Sequence, residues 1–227
     1  MQLRELNKIK RFKDISSGSN YDAERLARQG LNAAVKQILE DGFFHADPHP
    51  GNLLVTEDMN LCIINWGMAG RLTERDRFEL IDLLKAVVDK DSDALVHGLL
   101  RICQTRGKKI QPRALERELL DILDTYYAVP IEDMDIGQLL MSMTTLIRHH
   151  QLRLPPDFII MMKALVTAEG TARRAFPELD VVSEIKENVE WPLATKSGER
   201  NIFIIVATSR FYGFVIENKQ IKLIRIF

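Results

Sequence analysis

The chain has 227 residues, of which 46% are hydrophobic and 28% charged, and it contains 8 Pro and 2 Cys. This composition excludes a collagen, a low-complexity disordered chain and a disulfide-stapled miniprotein, and it is sufficient for a sizeable core. The 31 Lys and Arg residues balance 32 Asp and Glu, for a net charge of -1. We expect no nucleic acid among the partners, because the chain has no overall basic character.

The cysteine and hydropathy patterns bear on the compartment. Cys62 and Cys103 lie far apart and outside any zinc-binding spacing, which favours buried free thiols in a reducing environment. The best apolar stretch, residues 158–168, is too short to span a bilayer and is interrupted by Lys163. The basic first residues are not followed by an apolar segment, so they do not predict a secretory signal. We expect a cytoplasmic or peripherally membrane-attached chain without a transmembrane helix.

The N-terminal part begins with a basic segment that ends in turn-forming residues. This pattern predicts a lead-in over residues 1–20 rather than a core element. From Asn20, a natural N-cap, apolar residues recur at helical spacing as far as Gly42, a natural C-cap. A helix is therefore predicted between these two residues.

Loops and a hairpin are predicted next. Two Pro and one Gly interrupt residues 43–52, which predicts a structured loop. Short apolar runs at 53–55 and 61–64 flank a polar turn and predict a small β-hairpin. A second loop is predicted over residues 65–70.

The remainder, as far as residue 190, is predicted to be helical. Thr73 and Asp76 form a variant capping box at the start of the first of these helices. That helix places Phe78, Ile81, Leu84 and Val88 on one face. Further helices are predicted at 92–105, 112–127, 135–150 and 156–175. Their core faces carry Leu95, Leu99, Leu115, Leu119, Ile122, Leu139, Met143, Ile147, Ile159, Met162 and Leu165. The predicted fold class is mainly α with a small β-hairpin.

Residues 191–227 differ in character from the helical region. They carry six basic and two acidic residues and are rich in Ile, Phe, Val and Tyr. This composition predicts a strand at 202–206 and short strands after it. The predicted organisation is thus a lead-in over residues 1–20, a main domain over 21–190 and an unplaced tail over 191–227.

The stretch HADPHPGN, residues 45–52, carries the most chemical information. Phosphoryl transfer from ATP uses a carboxylate to orient the attacking oxygen, an amide oxygen five residues later, and a second metal ligand after a short hairpin. Asp47 and Asn52 have this spacing. The turn Asn65-Trp66-Gly67 then follows the hairpin, where kinases have Asp-Phe-Gly.

In these residues, and in the downstream stretch LRLPPDFIIMMKALVTAEGTAR, the chain resembles the UbiB/AarF/ADCK family of atypical kinase-like proteins over roughly residues 20–185. The resemblance implies a protein-kinase-like C-lobe, ATP and Mg²⁺ as cofactors, and a role in ubiquinone biosynthesis at membranes. It assigns Asp47 as the catalytic aspartate, His45 as the brace of the metal-binding turn and His49 as a further catalytic position. It assigns cofactor contacts to Asn52, Asn65 and Gly67, with Asn52 and Asn65 as the metal ligands.

Two departures from the family pattern count against turnover. Asn65 stands where the family has Asp, and an amide brings no negative charge to a cation that prefers carboxylates. About 20 residues precede the first predicted helix, too few for the N-lobe that would supply a phosphate-binding lysine. We therefore expect an isolated C-lobe that binds ATP weakly or not at all.

Three classes of function remain open. The first is an atypical phosphotransferase or ATPase C-lobe, and the second is a pseudokinase-like interaction module. The third is a metal-dependent hydrolase with His45, Asp47 and His49 as alternating ligands, although two prolines break the extended regularity that this needs. The expected partners are a nucleotide, an N-lobe polypeptide or a second copy, and a peripheral membrane surface. An apolar patch of Phe43, Phe44 and Trp66 would be left exposed where an N-lobe is absent.

Overall fold

The computed structural model describes residues 10–14, 21–56, 59–105, 111–128, 135–184, 212–217 and 220–225. Within these ranges the chain forms six α-helices and nine short strands, and residues 181–184 are also helical. The helices are α1 (Ala23–Lys36), α2 (Glu74–Val88), α3 (Ser92–Ile102), α4 (Pro112–Tyr127), α5 (Ile136–His149) and α6 (Pro156–Ala175). The strands are β1 (Lys10–Arg11), β2 (Phe43–His45), β3 (Leu53–Val55), β4 (Leu61–Ile63), β5 (Ala69–Arg71), β6 (Gln104–Thr105), β7 (Leu152–Arg153), β8 (Tyr212–Glu217) and β9 (Gln220–Arg225). The prediction of a mainly helical chain is confirmed, and the strands form more than the single small β-hairpin that was predicted.

The first helix continues into a π-helical turn, Gln37–Asp41, and ends at Gly42 as predicted. Gly42 adopts a left-handed conformation with φ of 65°. A side chain there would also come within 2.8 Å of the Leu72 carbonyl oxygen. The N-cap is Asp22 rather than the predicted Asn20, because the Asp22 carboxylate accepts a hydrogen bond from the Arg25 N–H at 2.9 Å. Asn20 lies outside the described residues.

The predicted hairpin is confirmed as β3 and β4, which pair antiparallel with Leu54 opposite Cys62. It is the centre of a five-stranded sheet in the order β1-β3-β4-β8-β9. The first strand, which lies within the predicted lead-in, pairs with β3, and the adjacent Phe12 is buried. The lead-in prediction is therefore wrong for residues 10–14, because this segment completes a sheet that only the folded chain brings to it.

The C-terminal residues also join this sheet. β8 pairs antiparallel with β4, and β9 pairs with β8. The two short strands expected late in the tail are therefore present. The strand predicted at 202–206 lies outside the described residues.

The two predicted loops contain a ladder that sequence patterns did not indicate. β2 and β5 pair antiparallel, with Phe43 opposite Arg71 and Phe44 opposite Gly70. The prediction of loop structure is therefore wrong for 43–45 and 69–70. Each strand is only three residues long, so its stability comes from a partner about 26 positions away, which local periodicity cannot reveal.

The predicted helices form, with shorter ends in two cases. α4 and α6 have the predicted bounds, whereas α3 ends at Ile102 and α5 spans Ile136–His149. The capping box at the start of α2 is confirmed, since the Asp76 carboxylate accepts from the Thr73 N–H at 3.0 Å. Among the described residues, none of the helices is both long enough and apolar enough to cross a membrane.

Two hydrophobic clusters hold these elements together. The larger joins α1, α6 and the central hairpin, and the smaller joins α3, α4 and α5. Cys62 and Cys103 are buried free thiols, as predicted, and burial raises their pKa to about 12 and about 11, respectively. Phe78 and Ile159 were predicted to face the core but are 54% and 56% exposed, because each helix packs through a neighbouring face.

A glycine pair tests the packing between β2 and β5. We expect Gly70→Ala to lower the free energy of unfolding by about 2 kcal/mol, because its Cβ would lie 2.2 Å from the buried Phe44 ring. A Cβ at Gly170, on the exposed side of α6, would have nothing within 4 Å of it. Gly170→Ala should therefore raise the same free energy by up to about 1 kcal/mol. Urea unfolding of both variants measures the contrast, and equal effects would contradict the packing at Gly70.

Candidate functional site

His45 ends β2 and connects the two halves of the site. Its side chain is buried, and its Nδ1 accepts a hydrogen bond from the Asp47 N–H at 3.0 Å. Its Nε2 lies 3.2 Å from the Ile64 carbonyl oxygen and 3.1 Å from that of Asn65. Nε2 therefore carries the proton, and burial lowers the pKa of His45 below its ordinary value, although the carbonyl groups oppose this shift. A neutral His45 thus ties the loop at 45–52 to the turn after β4.

Asn52 forms the second connection and is also buried. Its Nδ2 donates to the Asp47 carbonyl oxygen at 2.9 Å, and its Oδ1 accepts from Asn65 Nδ2 at 3.2 Å. Its carbonyl oxygen accepts from the Ile64 N–H at 2.9 Å. The structure therefore brings Asp47, Asn52 and Asn65 together across the hairpin.

Asn65 begins the turn that corresponds in position to Asp-Phe-Gly. It adopts a left-handed conformation with φ of 64°, which Asn tolerates better than most residues. Gly67 lies two residues later, and a Cβ at that position would be 3.9 Å from Asn65 Oδ1, an ordinary van der Waals distance. Gly67 thus lies beside the Asn65 amide without being required there sterically.

Two basic side chains flank the Asp47 carboxylate. His49 Nε2 lies 3.9 Å from one oxygen, while its Nδ1 accepts from the Gly51 N–H at 3.0 Å. Lys163 Nζ, from α6, lies 4.0 Å from the other oxygen. The sequence pattern drew attention to Lys163 only as an interruption of an apolar stretch. A single lysine within an otherwise apolar helical stretch was the sequence signal that could have indicated that Lys163 lies at the site.

Two further side chains form hydrogen bonds with the main chain of the loop at 45–52. No local sequence pattern indicated either of them. Gln37 Oε1 accepts from the His45 N–H at 3.0 Å. Thr171 Oγ1, on α6, donates to the Pro48 carbonyl oxygen at 3.0 Å. Together these contacts fix the loop between the end of the first helix and α6.

The aromatic residues near the site are only partly exposed. Phe43 and Trp66 stack with their ring centroids 5.7 Å apart, and Phe43 is 38% exposed. Trp66 Nε1 donates to the Ile63 carbonyl oxygen at 3.2 Å. Phe44 is buried beneath Gly70, so the expectation of an exposed patch that includes it is wrong. Alternation along β2 places Phe43 and Phe44 on opposite faces.

The amide pair tests the fit of Mg²⁺ to this site. The two predicted ligands, Asn52 and Asn65, offer neutral oxygens, and Asn52 Oδ1 already accepts a hydrogen bond from Asn65. Mg²⁺ is bound in proteins chiefly through carboxylates together with waters and phosphates. As arranged, the two asparagines therefore fit Mg²⁺ poorly, and the nearby carboxylate is that of Asp47.

Comparison with known families identifies the class to which this helical body and loop belong. The ABC1 atypical kinase-like domain matches residues 2–99, and the UbiB helical domain matches residues 119–180. Both matches are to domains of UbiB-type atypical kinase-like proteins, which confirms the resemblance to the UbiB/AarF/ADCK family. The match begins at residue 2, so the likeness extends further towards the N-terminus than the expected start near residue 20.

Individual relatives agree with this assignment. The chain is 28% identical over 183 residues to an uncharacterized protein in the hydrogenase 1 5' region of Clostridium pasteurianum, covering 81% of this chain and 33% of the relative. It is 27% identical over 173 residues to a probable protein kinase UbiB of Xylella fastidiosa, covering 72% and 30%, respectively. A probable protein kinase UbiB of Xanthomonas campestris is 25% identical over 187 residues, covering 80% and 33%. The chain thus spans about a third of the length of these relatives.

Proposed function

We propose that this chain carries the catalytic-loop part of an atypical kinase-like ATP site linked to ubiquinone biosynthesis. The observation that carries the proposal is the network in which Asn52 connects the main chain of Asp47 to the side chain of Asn65, with His45 bracing both segments. The name probable protein kinase UbiB, borne by two of the relatives, supports the same assignment. On its own, the chain would have residual phosphotransfer or ATPase activity at most.

The residues of the site would act on the phosphate end of ATP. The Asp47 carboxylate would orient the attacking oxygen and accept its proton. Lys163 and His49 lie on either side of that carboxylate and would stabilise the negative charge of the phosphate oxygens. His45 would keep Asp47 in place without touching the substrate, because both of its ring nitrogens are engaged by the main chain.

A pseudokinase-like interaction module is the second candidate, and Asn65 is the observation that favours it. Mg²⁺ supplies charge neutralisation to transferring phosphates, and an amide in place of a carboxylate weakens its binding. The Asn65 side chain instead donates a hydrogen bond to Asn52 and so stabilises the turn by itself. As such a module, the chain would serve as a platform for a partner polypeptide or a membrane surface.

The hydrolase alternative gains no support from the geometry. It needs His45 as a metal ligand, but Nδ1 accepts from the Asp47 N–H and Nε2 faces two carbonyl oxygens. A bond from His45 to a metal would require the loss of at least one of these buried hydrogen bonds. Leaving its partner unsatisfied would cost about 1–3 kcal/mol of stability. His49 likewise directs Nδ1 to the Gly51 N–H.

Calorimetric titration with Mg-ATP tests the proposed lack of activity. We expect no saturable binding at micromolar concentrations and no measurable release of phosphate, because position 65 lacks a carboxylate. Titration with ATP in the presence of a chelator is the control for binding that does not depend on the cation. A micromolar dissociation constant that requires Mg²⁺ would contradict the expectation and favour an active site.

A further inference from the structure

A cluster of three metal-ligating side chains lies away from the catalytic loop, where α4 packs against the C-terminal end of α5. Glu118 projects from α4, His149 is the last residue of α5, and His150 is its C-cap. One potential ligand atom from each residue lies within 4.8 Å of those of the other two. These are a carboxylate and two imidazoles, the donor set that suits zinc and related divalent metals.

The distances within the cluster are short enough for a shared ion. His149 Nδ1 lies 2.8 Å from one Glu118 oxygen, and His150 Nε2 lies 3.3 Å from the other. In a tetrahedral zinc site with bonds of about 2.0–2.2 Å, neighbouring ligand atoms are separated by roughly 3.3–3.5 Å. The two separations between histidine nitrogens and Glu118 oxygens are therefore close to those of such a site.

His150 is the most buried member of the cluster, and its Nε2 lies near Glu118 without a well-aligned hydrogen bond to it. Its side chain is only 11% exposed, and Nε2 itself is buried. Buried polar atoms are normally satisfied, so an unsatisfied nitrogen beside a carboxylate requires an explanation. A cation held between Nε2 and the carboxylate would satisfy both groups.

The surroundings favour a bound cation with an open position. The cluster borders a groove between α4 and α5 that is also lined by Asp121, one turn further along α4. The negative end of the α5 dipole lies at His149, and helix C-termini favour cations. His149 itself is 69% exposed, so an ion can enter from solvent and keep water as a further ligand.

We propose that Glu118, His149 and His150 bind one divalent transition-metal ion, with zinc as the expected occupant. The ion ties α4 to the end of α5 and takes the place of the His149–Glu118 hydrogen bond, with His149 binding through Nδ1 as the neutral imidazole that carries its hydrogen on Nε2. The site is distinct from the catalytic loop, since it uses nitrogen ligands on different elements. The proposed role of the ion is to bind to and stabilise the helical region, and no reaction is proposed for it.

Titration of the metal-free chain with Co²⁺ tests the proposal, because tetrahedral or five-coordinate Co²⁺ absorbs visible light and reports nitrogen ligands. We expect one equivalent to bind, Zn²⁺ to displace it, and Zn²⁺ to raise the thermal midpoint. Glu118→Gln and His149→Gln should each weaken Co²⁺ binding at least tenfold. Circular dichroism shows whether each variant retains its helices.

Matched controls locate the site. Glu116→Gln removes the same charge from another face of α4, and His97→Gln removes an exposed imidazole from α3. Asp47→Asn removes the carboxylate of the catalytic loop. These three variants should bind Co²⁺ as the parent does. The proposal is overturned if the parent gives no saturable visible band, or if the controls lose as much affinity as Glu118→Gln and His149→Gln.

Discussion

Asn65→Asp is expected to raise the Mg²⁺ affinity of the chain at least tenfold, equivalent to about 1.4 kcal/mol of binding free energy. In the parent, the Asn65 amide donates to Asn52 Oδ1 at 3.2 Å. Aspartate would replace this donor with a negatively charged carboxylate oxygen. That oxygen would then face Asn52 Oδ1, which is also a hydrogen-bond acceptor, and the two would repel each other. A cation bound between the two oxygens would remove the repulsion, which would remain when no cation is bound. The thermal midpoint of the variant should therefore be lower than that of the parent without Mg²⁺ and rise as Mg²⁺ is added.

The backbone should tolerate this substitution. Asn65 has φ of 64°, and Asp shares with Asn an unusual tolerance of the left-handed region. Asn60→Asp is the matched control, because it adds the same charge in the turn of the same hairpin and away from Asn52. Calorimetry and Mg²⁺-dependent melting of the two variants measure the contrast. Equal Mg²⁺ responses in both would show that position 65 is not a metal ligand.

The same variant separates binding from chemistry. If Asn65→Asp gives Mg²⁺-dependent binding or hydrolysis of ATP, Asp47→Ala in that background should abolish hydrolysis while leaving binding within a few-fold. Asp47 would orient the attacking oxygen without having to hold the cation. Loss of binding together with hydrolysis would instead make Asp47 a cofactor ligand.

His45→Ala is expected to lower the free energy of unfolding by about 3 kcal/mol, the largest stability effect that we expect for a single site residue. The substitution removes a buried ring and the acceptor of the Asp47 N–H. It also removes the donor facing the carbonyl oxygens of Ile64 and Asn65. The cost combines an unfilled volume with main-chain groups that lose their partner. Urea unfolding measures it.

Two comparisons distinguish this role from a general effect of losing a histidine. His97 is exposed on α3, so His97→Ala should change the free energy of unfolding by no more than about 0.5 kcal/mol. His45→Gln keeps a donor near the position of Nε2 and should recover part of the loss. If His45→Ala were as mild as His97→Ala, His45 would not connect the loop to the turn.

Helix positions and the hairpin followed from local patterns in the sequence. The capping box at Thr73 and the proline at the start of α6 act within one turn of helix, so a short window of sequence contains their whole cause. The hairpin of β3 and β4 likewise joins neighbouring apolar runs. The resemblance of residues 45–52 to a kinase catalytic loop depended on spacing, which the sequence states directly.

The sequence could not indicate which distant elements would meet. Pairing of β2 with β5 and of β1 with β3 depends on contacts between segments that are far apart, and a three-residue strand has no period of its own. Burial of Phe44 and exposure of Phe78 depend on which helix or strand faces each ring. Both residues are phenylalanines with the same apolar character, so residue type alone cannot predict which of them is buried.

The sequence by itself determined the residue types of the catalytic loop, their spacing, the neutral amide at position 65 and most helix boundaries, since each depends on neighbouring residues. Only the tertiary structure decided that Lys163 approaches Asp47, that Thr171 holds Pro48, and that Glu118 meets His149 and His150. These contacts join residues separated by 31 to 123 positions. Their formation depends on how α4, α5 and α6 pack, which is the sum of many weak apolar contacts rather than a property of any short segment.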